Sequence, residues 1–380
     1  MYFVKLRLLL ILENKHLLSD RKHGEKMKRD GKYRLLPLIC IAAMLCTGCS
    51  GFSSQKNIDS GMNYISDHNY ESALASFSQA QKQGENERLL FRGMGIAYLK
   101  LARYEDAAAA FEKSLSASIG IADSMDFDTN YYLAEAFSEE GAYDQAIAVY
   151  DAILNLHGNE RNAYYLRGLT RLKNGDHDGA SADFTKAVAL APKDYDRMIM
   201  IYQALADYGY QDEGTTILQT AMKQGSASMN NFEKGQISFY LGNNADAQNY
   251  LEEARSEKGN SDNVSVILLL GQTGEKQGDY NYAVSVYKSF LQDNPKHADV
   301  YNRLGICEMK MESYEAAVAD FEAGLALKDT AVSQALMRNE ITAYEYAGNF
   351  DQAKTLMASY EKLYPQDAEA AREEIFLSTR

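Results

Sequence analysis

Tryptophan is absent from this 380-residue chain, proline and cysteine each occur four times, and histidine six times. Each scarcity excludes something. Cys40, Cys46 and Cys49 crowd the N-terminal end and leave Cys307 alone. No disulfide can close within residues 50–380, so their stability has to come from a packed core. The four histidines beyond residue 48 are His68, His157, His177 and His297. All fall in predicted turns, no two share a helix face at metal-ligand spacing, and neither a metal nor another cofactor is expected. The apolar run Leu35 to Leu45 has eleven residues, too few to cross a bilayer as a helix. Positive charge is also scarce: beyond residue 48 there are 29 basic against 49 acidic side chains. A net charge that negative is repelled by phosphate backbones and by anionic lipid, which argues against a nucleic-acid partner.

What the chain does have is a period. Alanine recurs at Ala73, Ala107, Ala146, Ala180, Ala247, Ala283, Ala317 and Ala353, with Gly214 in the one gap. Anchored there, units begin near Ser54, Arg88, Phe127, Arg161, Tyr195, Ser228, Val264, Ala298 and Gln334. Other columns keep the register. The eighth place holds Gly61, Gly95, Ala134, Gly168, Gly235, Gly271 and Gly305. At the seventeenth stand Tyr70, Tyr104, Tyr143, Tyr280, Tyr314 and Phe350, and the twenty-fourth is large and apolar throughout, from Phe77 to Met357. Small residues at the eighth and twentieth places let paired helices approach closely, and both aromatic columns are expected in the core.

These columns, the spacing near 34 residues and the late prolines Pro192, Pro295 and Pro365 resemble the tetratricopeptide repeat. The unit Arg161 to Asp194 carries the pattern most fully, with Gly168, Gly175, Ala180, Phe184, Ala187 and Pro192 in family places. The resemblance covers about Ser54 to Asp367. It implies an all-α fold: a right-handed superhelical α-solenoid of about nine helix-turn-helix repeats, over residues 54–367. The unit from Tyr195 departs most, with Tyr202 where glycine is usual and Gly214 for the alanine. Ser116 to Asp126 carries five extra residues and is expected to be a longer loop. Residues 368–380 are expected to add a capping helix over the last repeat's apolar face.

Residues 1–48 differ in composition and are read as a leader, with 49–53 a short tether. A basic region at Lys28, Arg29, Lys32 and Arg34, the short apolar core and the small junction Thr47-Gly48-Cys49 form a signal-peptide pattern. The stretch Leu45 to Ser50 resembles a bacterial lipobox. That resemblance implies that Cys49 is lipidated and anchors the protein to the extracytoplasmic face of the bacterial cell envelope. Cys46 stands where an aliphatic residue is usual, and an ordinary cleaved signal peptide remains the alternative. The residues before Met27 fit neither pattern, so translation is expected to start at Met27.

No catalytic constellation stands out, and no enzyme is expected. Gly93-Met94-Gly95 lies inside a predicted helix without the third glycine or preceding strand of a phosphate loop. Asp176 to Gly179 has no glutamate at the twelfth place of a calcium loop. The pairs Glu139-Glu140, Glu252-Glu253 and Glu373-Glu374 are adjacent on helices, point about 100° apart and read as solvated faces.

The resemblance implies a binding surface instead. In this family the first helices line a groove that takes an extended peptide or a helix of a partner protein. The family's groove positions here give Arg92, Tyr131, Glu135, Tyr165, Gln203, Phe232, Gln236, Gln272, Asn302 and Arg338. Tyr131, Tyr165 and Phe232 are expected to be anchors outside the core, and the acidic excess favours a partner with a basic surface. Asn302, Arg303, Arg338 and Asn339 come nearest to the family's carboxylate clamp. The expected function is a membrane-anchored scaffold for protein–protein interaction. The alternatives are an envelope protein that captures glycan or peptidoglycan fragments, or an enzyme with an unrecognised site.

Overall fold

The computed structural model describes residues 55–260 and 262–380. The leader, the Met27 start, the 49–53 tether, Cys49 and Ser54 lie outside the described residues. The chain divides into two compact units between Ala191 and Pro192. In the first, four helix pairs follow in order: α1 Lys56–Ser66 and α2 Tyr70–Lys82, α3 Glu87–Lys100 and α4 Tyr104–Ala117, α5 Ser124–Glu140 and α6 Tyr143–Leu156, α7 Arg161–Lys173 and α8 His177–Leu190. The second begins with α9 Tyr195–Asp207 and α10 Gln211–Gly225, α11 Asn231–Tyr240 and α12 Asn244–Ser256, α13 Val264–Gln277 and α14 Tyr280–Asp293. It continues with α15 Ala298–Lys310 and α16 Tyr314–Ala326, α17 Ser333–Tyr346 and α18 Phe350–Leu363, and ends in a single helix, α19 Ala368–Ser378. No strand occurs among the described residues.

The local sequence sets the helix ends. Asn69, Asn86, Asp176, Asp194, Asp279, Asn349 and Asp367 each accept a hydrogen bond from a first-turn backbone N–H, and Asn230 and Asp123 close full capping boxes with Glu233 and Asp126. Between the helices of every pair the chain turns through one left-handed residue, at the fifteenth place of the repeat. Six of these are glycines, Gly141, Gly175, Gly209, Gly242, Gly278 and Gly348, with φ between 76° and 86°. The other three are His68, Ala102 and Glu312, with φ between 55° and 59°, where a Cβ costs about 1 to 2 kcal/mol.

The eighth-place glycine has a specific occupant above it. A Cβ built on Gly61 would stand 2.5 Å from Phe77 Cε1; on Gly168, 2.6 Å from Phe184; on Gly305, 2.5 Å from Phe321. The twenty-fourth-place ring therefore lies on the bare backbone of its own first helix. Phe77 also covers Gly93 of the next first helix, 2.4 Å from where its Cβ would be, so one ring closes both the pair and the seam to the following pair. The atypical repeat inverts the sizes: a Cβ on Gly214 would fall 2.9 Å from Tyr202 Cα. The large residue has moved to the first helix and the bare backbone to the second. Tyr70, Tyr104, Tyr143, Tyr280, Tyr314 and Phe350, expected in the core, are only half-buried. Each is the first residue of its helix, at the edge of the packed layer.

The expected long loop at 116–126 is shorter. α4 runs on to Ala117, α5 starts at Ser124, and only 118–123 are irregular. The extra residues lengthen α5 to 17. The connection is pinned by Arg88 of α3, which forks onto Asp123 and onto Asp126 at 3.0 Å, and by Ser118 Oγ donating to Asp126 Oδ2 at 2.9 Å. The guanidinium beside Asp123 holds its carboxyl down to about 2. His177, expected in a turn, is the first residue of α8. The predicted cap is present as α19, whose Ala370 and Leu377 pack with Ile341, Met357 and Tyr360.

Candidate functional site

In the first unit α1 touches α3, and α3 touches α5, in addition to each helix's own partner. In the second, α9, α11, α13, α15 and α17 touch in succession. Second helices make no comparable contact with one another among the described residues, so each unit curves toward its first helices. These form a continuous wall in the second unit, and in the first a wall of α1, α3 and α5.

The ten groove residues fall into two columns of that wall. The ninth place faces outward: Glu135 and Gln203 are exposed, and Gln236 and Gln272 half-buried. The fifth place does not. It is three residues before the eighth and so shares its helix face, the face on which the twenty-fourth-place side chain lies. Tyr165 is the clearest correction: it is 5% exposed, its ring 6.2 Å from Phe184. It belongs to the packing of α7 on α8 and offers no surface to a partner. Tyr131 is half-buried, with its ring 6.2 Å from Tyr150 and its hydroxyl sealed without a hydrogen-bond partner. Burial, then the nearby Glu160 and Asp128, pushes that phenol up to about 12. Phe232 is likewise half-buried, against the cluster around Leu251 and Ile267.

The polar members of the fifth column reach sideways to the next first helix. The Arg92 guanidinium lies 5.5 Å from the Tyr132 ring centroid and 4.0 Å from Asp128. Asn302 Oδ1 accepts a hydrogen bond from Asn339 Nδ2 at 2.8 Å. Arg338 meets Asp367 at 3.4 Å and Glu369 at 2.8 Å, while Arg303 lies 3.5 Å from Glu275. The four residues nearest to a carboxylate clamp thus spend their polarity within the chain and do not present a free clamp. From the ninth column, Gln203 Nε2 donates to the Tyr240 hydroxyl at 3.1 Å.

The repeat columns do not reveal the partners of these ties, Tyr132, Tyr240, Asp367 and Glu369, or the contact of Lys276 Nζ 3.7 Å from the Phe239 ring centroid. A spacing was the available signal. Gln203–Tyr240, Phe239–Lys276 and Asn302–Asn339 are each 37 residues apart, one repeat plus four residues for the first and one repeat plus one residue for the other two. In the first unit the wall is braced by Arg167, which grips Asp183 of α8 at 2.5 and 2.9 Å and also pairs with Asp151 of α6. Arg171 adds a 2.8 Å bond to Asp183. Among the described residues, no group of three or more His, Cys, Asp or Glu is placed to hold a metal ion, and no helix is long and apolar enough to cross a membrane.

Comparison with known proteins gives a consistent result. The family model described as Tetratricopeptide repeat matches residues 58–120, 92–160, 131–195 and 268–332, together just over half of the chain. A TPR repeat-containing protein of Methanocaldococcus jannaschii is 22% identical over 265 residues, 68% of this chain. The chain spans 44% of that relative's length. Among solved structures, yeast Tom70 aligns over 85% of this chain and 88% of its own with a TM-score of 0.50 at 12% identity. A tetratricopeptide repeat protein from Parabacteroides merdae aligns over 77% of this chain and 100% of its own, with a TM-score of 0.44 at 16% identity.

Proposed function

The chain belongs to the tetratricopeptide-repeat family, and from that premise we propose that it is a membrane-anchored scaffold on the extracytoplasmic face of a bacterial envelope. It takes a segment of a protein partner on the wall of first helices. The observation that carries this reading is the wall itself. The first helices α1, α3 and α5 of one unit and α9, α11, α13, α15 and α17 of the other stand side by side, and turn Glu135 in the first, and Gln203, Gln236 and Gln272 in the second, toward solvent. Amide side chains both donate and accept, which suits the backbone of an extended peptide. Half-exposed Tyr131 and Phe232 supply flat apolar area beside them. The acidic excess favours a basic partner and steers its approach. Anchoring rests on the leader and on Cys49, where a diacylglycerol thioether would hold the array close to the membrane surface.

The test is capture of the partner from detergent-solubilised envelopes by the full chain, wild type against Phe232→Ala and Gln236→Ala. A loss above about 1 kcal/mol, roughly fivefold, is expected for Phe232→Ala, and capture should weaken as salt rises. Capture unaffected by either substitution and by salt would move the contact off this wall. For anchoring, Cys49→Ala should abolish incorporation of radiolabelled palmitate; continued labelling would reject Cys49 as the lipid site.

A further inference from the structure

At the C-terminal end of α17, the last helix of the first-helix wall, α17, α18 and α19 enclose an open hollow of about 560 Å³ lined by Glu345, Tyr346, Phe350, Glu373, Phe376 and Arg380. Its chemistry is lopsided. Three aromatic side chains face two carboxylates, and neither Glu345 nor Glu373 forms an ion pair among those the described residues make. Glu345 Oε1 is closed off from water and meets no donor. What it faces is the Glu373 carboxyl, and two carboxyl groups can bond only while one of them keeps a proton. Burial, and after it the negative charge of Glu373, pushes Glu345 up to about 7. The rings are open as well: Tyr346 is 66% and Phe376 38% exposed. The site already holds one cation against one of its rings. The Arg380 guanidinium carbon stands 4.8 Å from the Phe376 centroid, while the Arg380 backbone carbonyl accepts a 2.8 Å hydrogen bond from Lys354 Nζ.

We propose that this hollow is a second binding site, distinct from the groove around Phe232 and Gln236, which takes the guanidinium of an arginine side chain presented by a basic protein segment, in the seat that Arg380 now occupies. The planar guanidinium suits both halves of the site. Its face stacks on the aromatic rings and its edge forks onto a carboxylate, combinations in which arginine is favoured over lysine. An incoming cation would also relieve the repulsion between Glu345 and Glu373, so the proton they share would leave on binding. The charged groups lining the hollow are Glu345 on α17 and Glu373 and Arg380 on or just beyond α19; α18 contributes Phe350 to the lining and, behind Arg380, the Lys354 ammonium.

The experiment uses the full chain in detergent, a fluorescein-labelled arginine pentapeptide, and the same peptide with citrulline at every position, read by fluorescence anisotropy. Citrulline keeps the shape and removes the charge, and at least tenfold weaker binding is expected. Glu345→Gln with Glu373→Gln should lower affinity for the arginine peptide at least fivefold. Glu361→Gln with Glu374→Gln removes the same charge from α18 and α19 outside the hollow, and should change affinity less than twofold. Phe376→Leu should cost at least threefold. Arg380→Ala should tighten binding by vacating the seat, and wild-type affinity should rise between pH 6 and 8. Folding of the glutamine variants is checked by circular dichroism, and they should be at least as stable as wild type because a buried repulsion is removed. Equal losses in the two double variants would reduce the effect to net charge and overturn the proposal, as would weaker binding by Arg380→Ala. None of these substitutions touches Phe232 or Gln236, three repeats earlier on the first-helix wall, so this result and that of the Phe232 test stand or fall separately.

Discussion

Gly271→Ala is the sharpest test of how these repeats hold together. A Cβ at that position would lie 2.1 Å from Tyr287 Cζ and 2.4 Å from its hydroxyl oxygen. Over Gly61, Gly95, Gly168 and Gly305 the ring is phenylalanine and can retreat by tilting, and over Gly235 the side chain is Leu251. Tyr287 is fully buried, and its hydroxyl is tied to Glu275 Oε1 at 2.7 Å, so retreat breaks a bond to a carboxylate. Alanine is the better helix former by about 1 kcal/mol. Against that stand overpacking, about 1 to 3 kcal/mol, and the lost charged hydrogen bond, about 1.5 to 3 kcal/mol. The net expectation is destabilisation by about 3 kcal/mol, read from urea unfolding followed by circular dichroism at 222 nm. Gly158→Ala is the control. Only the Leu154 carbonyl oxygen lies near its Cβ position, at 3.7 Å, so it should be neutral or stabilise by up to about 1 kcal/mol. Pairing Gly271→Ala with Tyr287→Ala should cost less than the two single changes summed, by about 2 kcal/mol, because the second change removes what the first collides with. Strict additivity, or an unchanged midpoint for Gly271→Ala alone, would refute the seating of the ring on the glycine.

Stability of the second unit should fall as pH rises from 6 to 8. Asp320, Glu340 and Glu345 are each pushed up to about 7, chiefly by burial and then by Glu308, Glu322 and Glu373 respectively. Unfolded, they titrate near 4, so between pH 4 and 7 the folded state holds more protons. The stability this confers is complete below about pH 4 and lost on passing 7. The summed loss should be about 1 to 3 kcal/mol, reduced by solvent at the two half-exposed groups, and Glu340→Gln should flatten the profile; a melting temperature that rises over this interval would contradict the assignment. In the first unit, Arg167→Met should cost about 2 kcal/mol, less than a fully orphaned buried carboxylate, because Arg171 still serves Asp183. A change below about 0.5 kcal/mol in chemical unfolding would mean that the pair contributes nothing net.

Much of this fold could be read from Ala180, Gly168 and Phe184 and their counterparts, because close helix packing admits few side chains at those places and the constraint recurs in every repeat. The fifteenth-place turn was hidden by His68, Ala102 and Glu312, which accept a left-handed backbone that composition alone would assign to glycine. The candidate wall was legible as a set of helices but less so as a set of side chains. The burial of Tyr165 follows from its position three residues before Gly168, on the same helix face. The pairing of Asn302 with Asn339, and of Arg338 with Glu369, depends on how far one helix is rotated against the next. No single repeat's sequence encodes that rotation.

The inverted pair of Tyr202 and Gly214 bears on how such an array can change over generations. Repeats grow and shrink by unequal exchange, and in most of these units a crossover in the turn between helices would produce a workable hybrid, since their first helices bring a small eighth residue and their second helices a small twentieth; the last unit, with Ile341 at the eighth place, stands apart. The unit from Tyr195 is barred from that traffic. Its first helix joined to another unit's second would set Tyr202 against an alanine, and its second helix joined to another unit's first would leave glycine facing glycine, with a gap between them. This hairpin is therefore inherited whole or not at all, a fixed landmark in a chain most of whose other units can be interchanged.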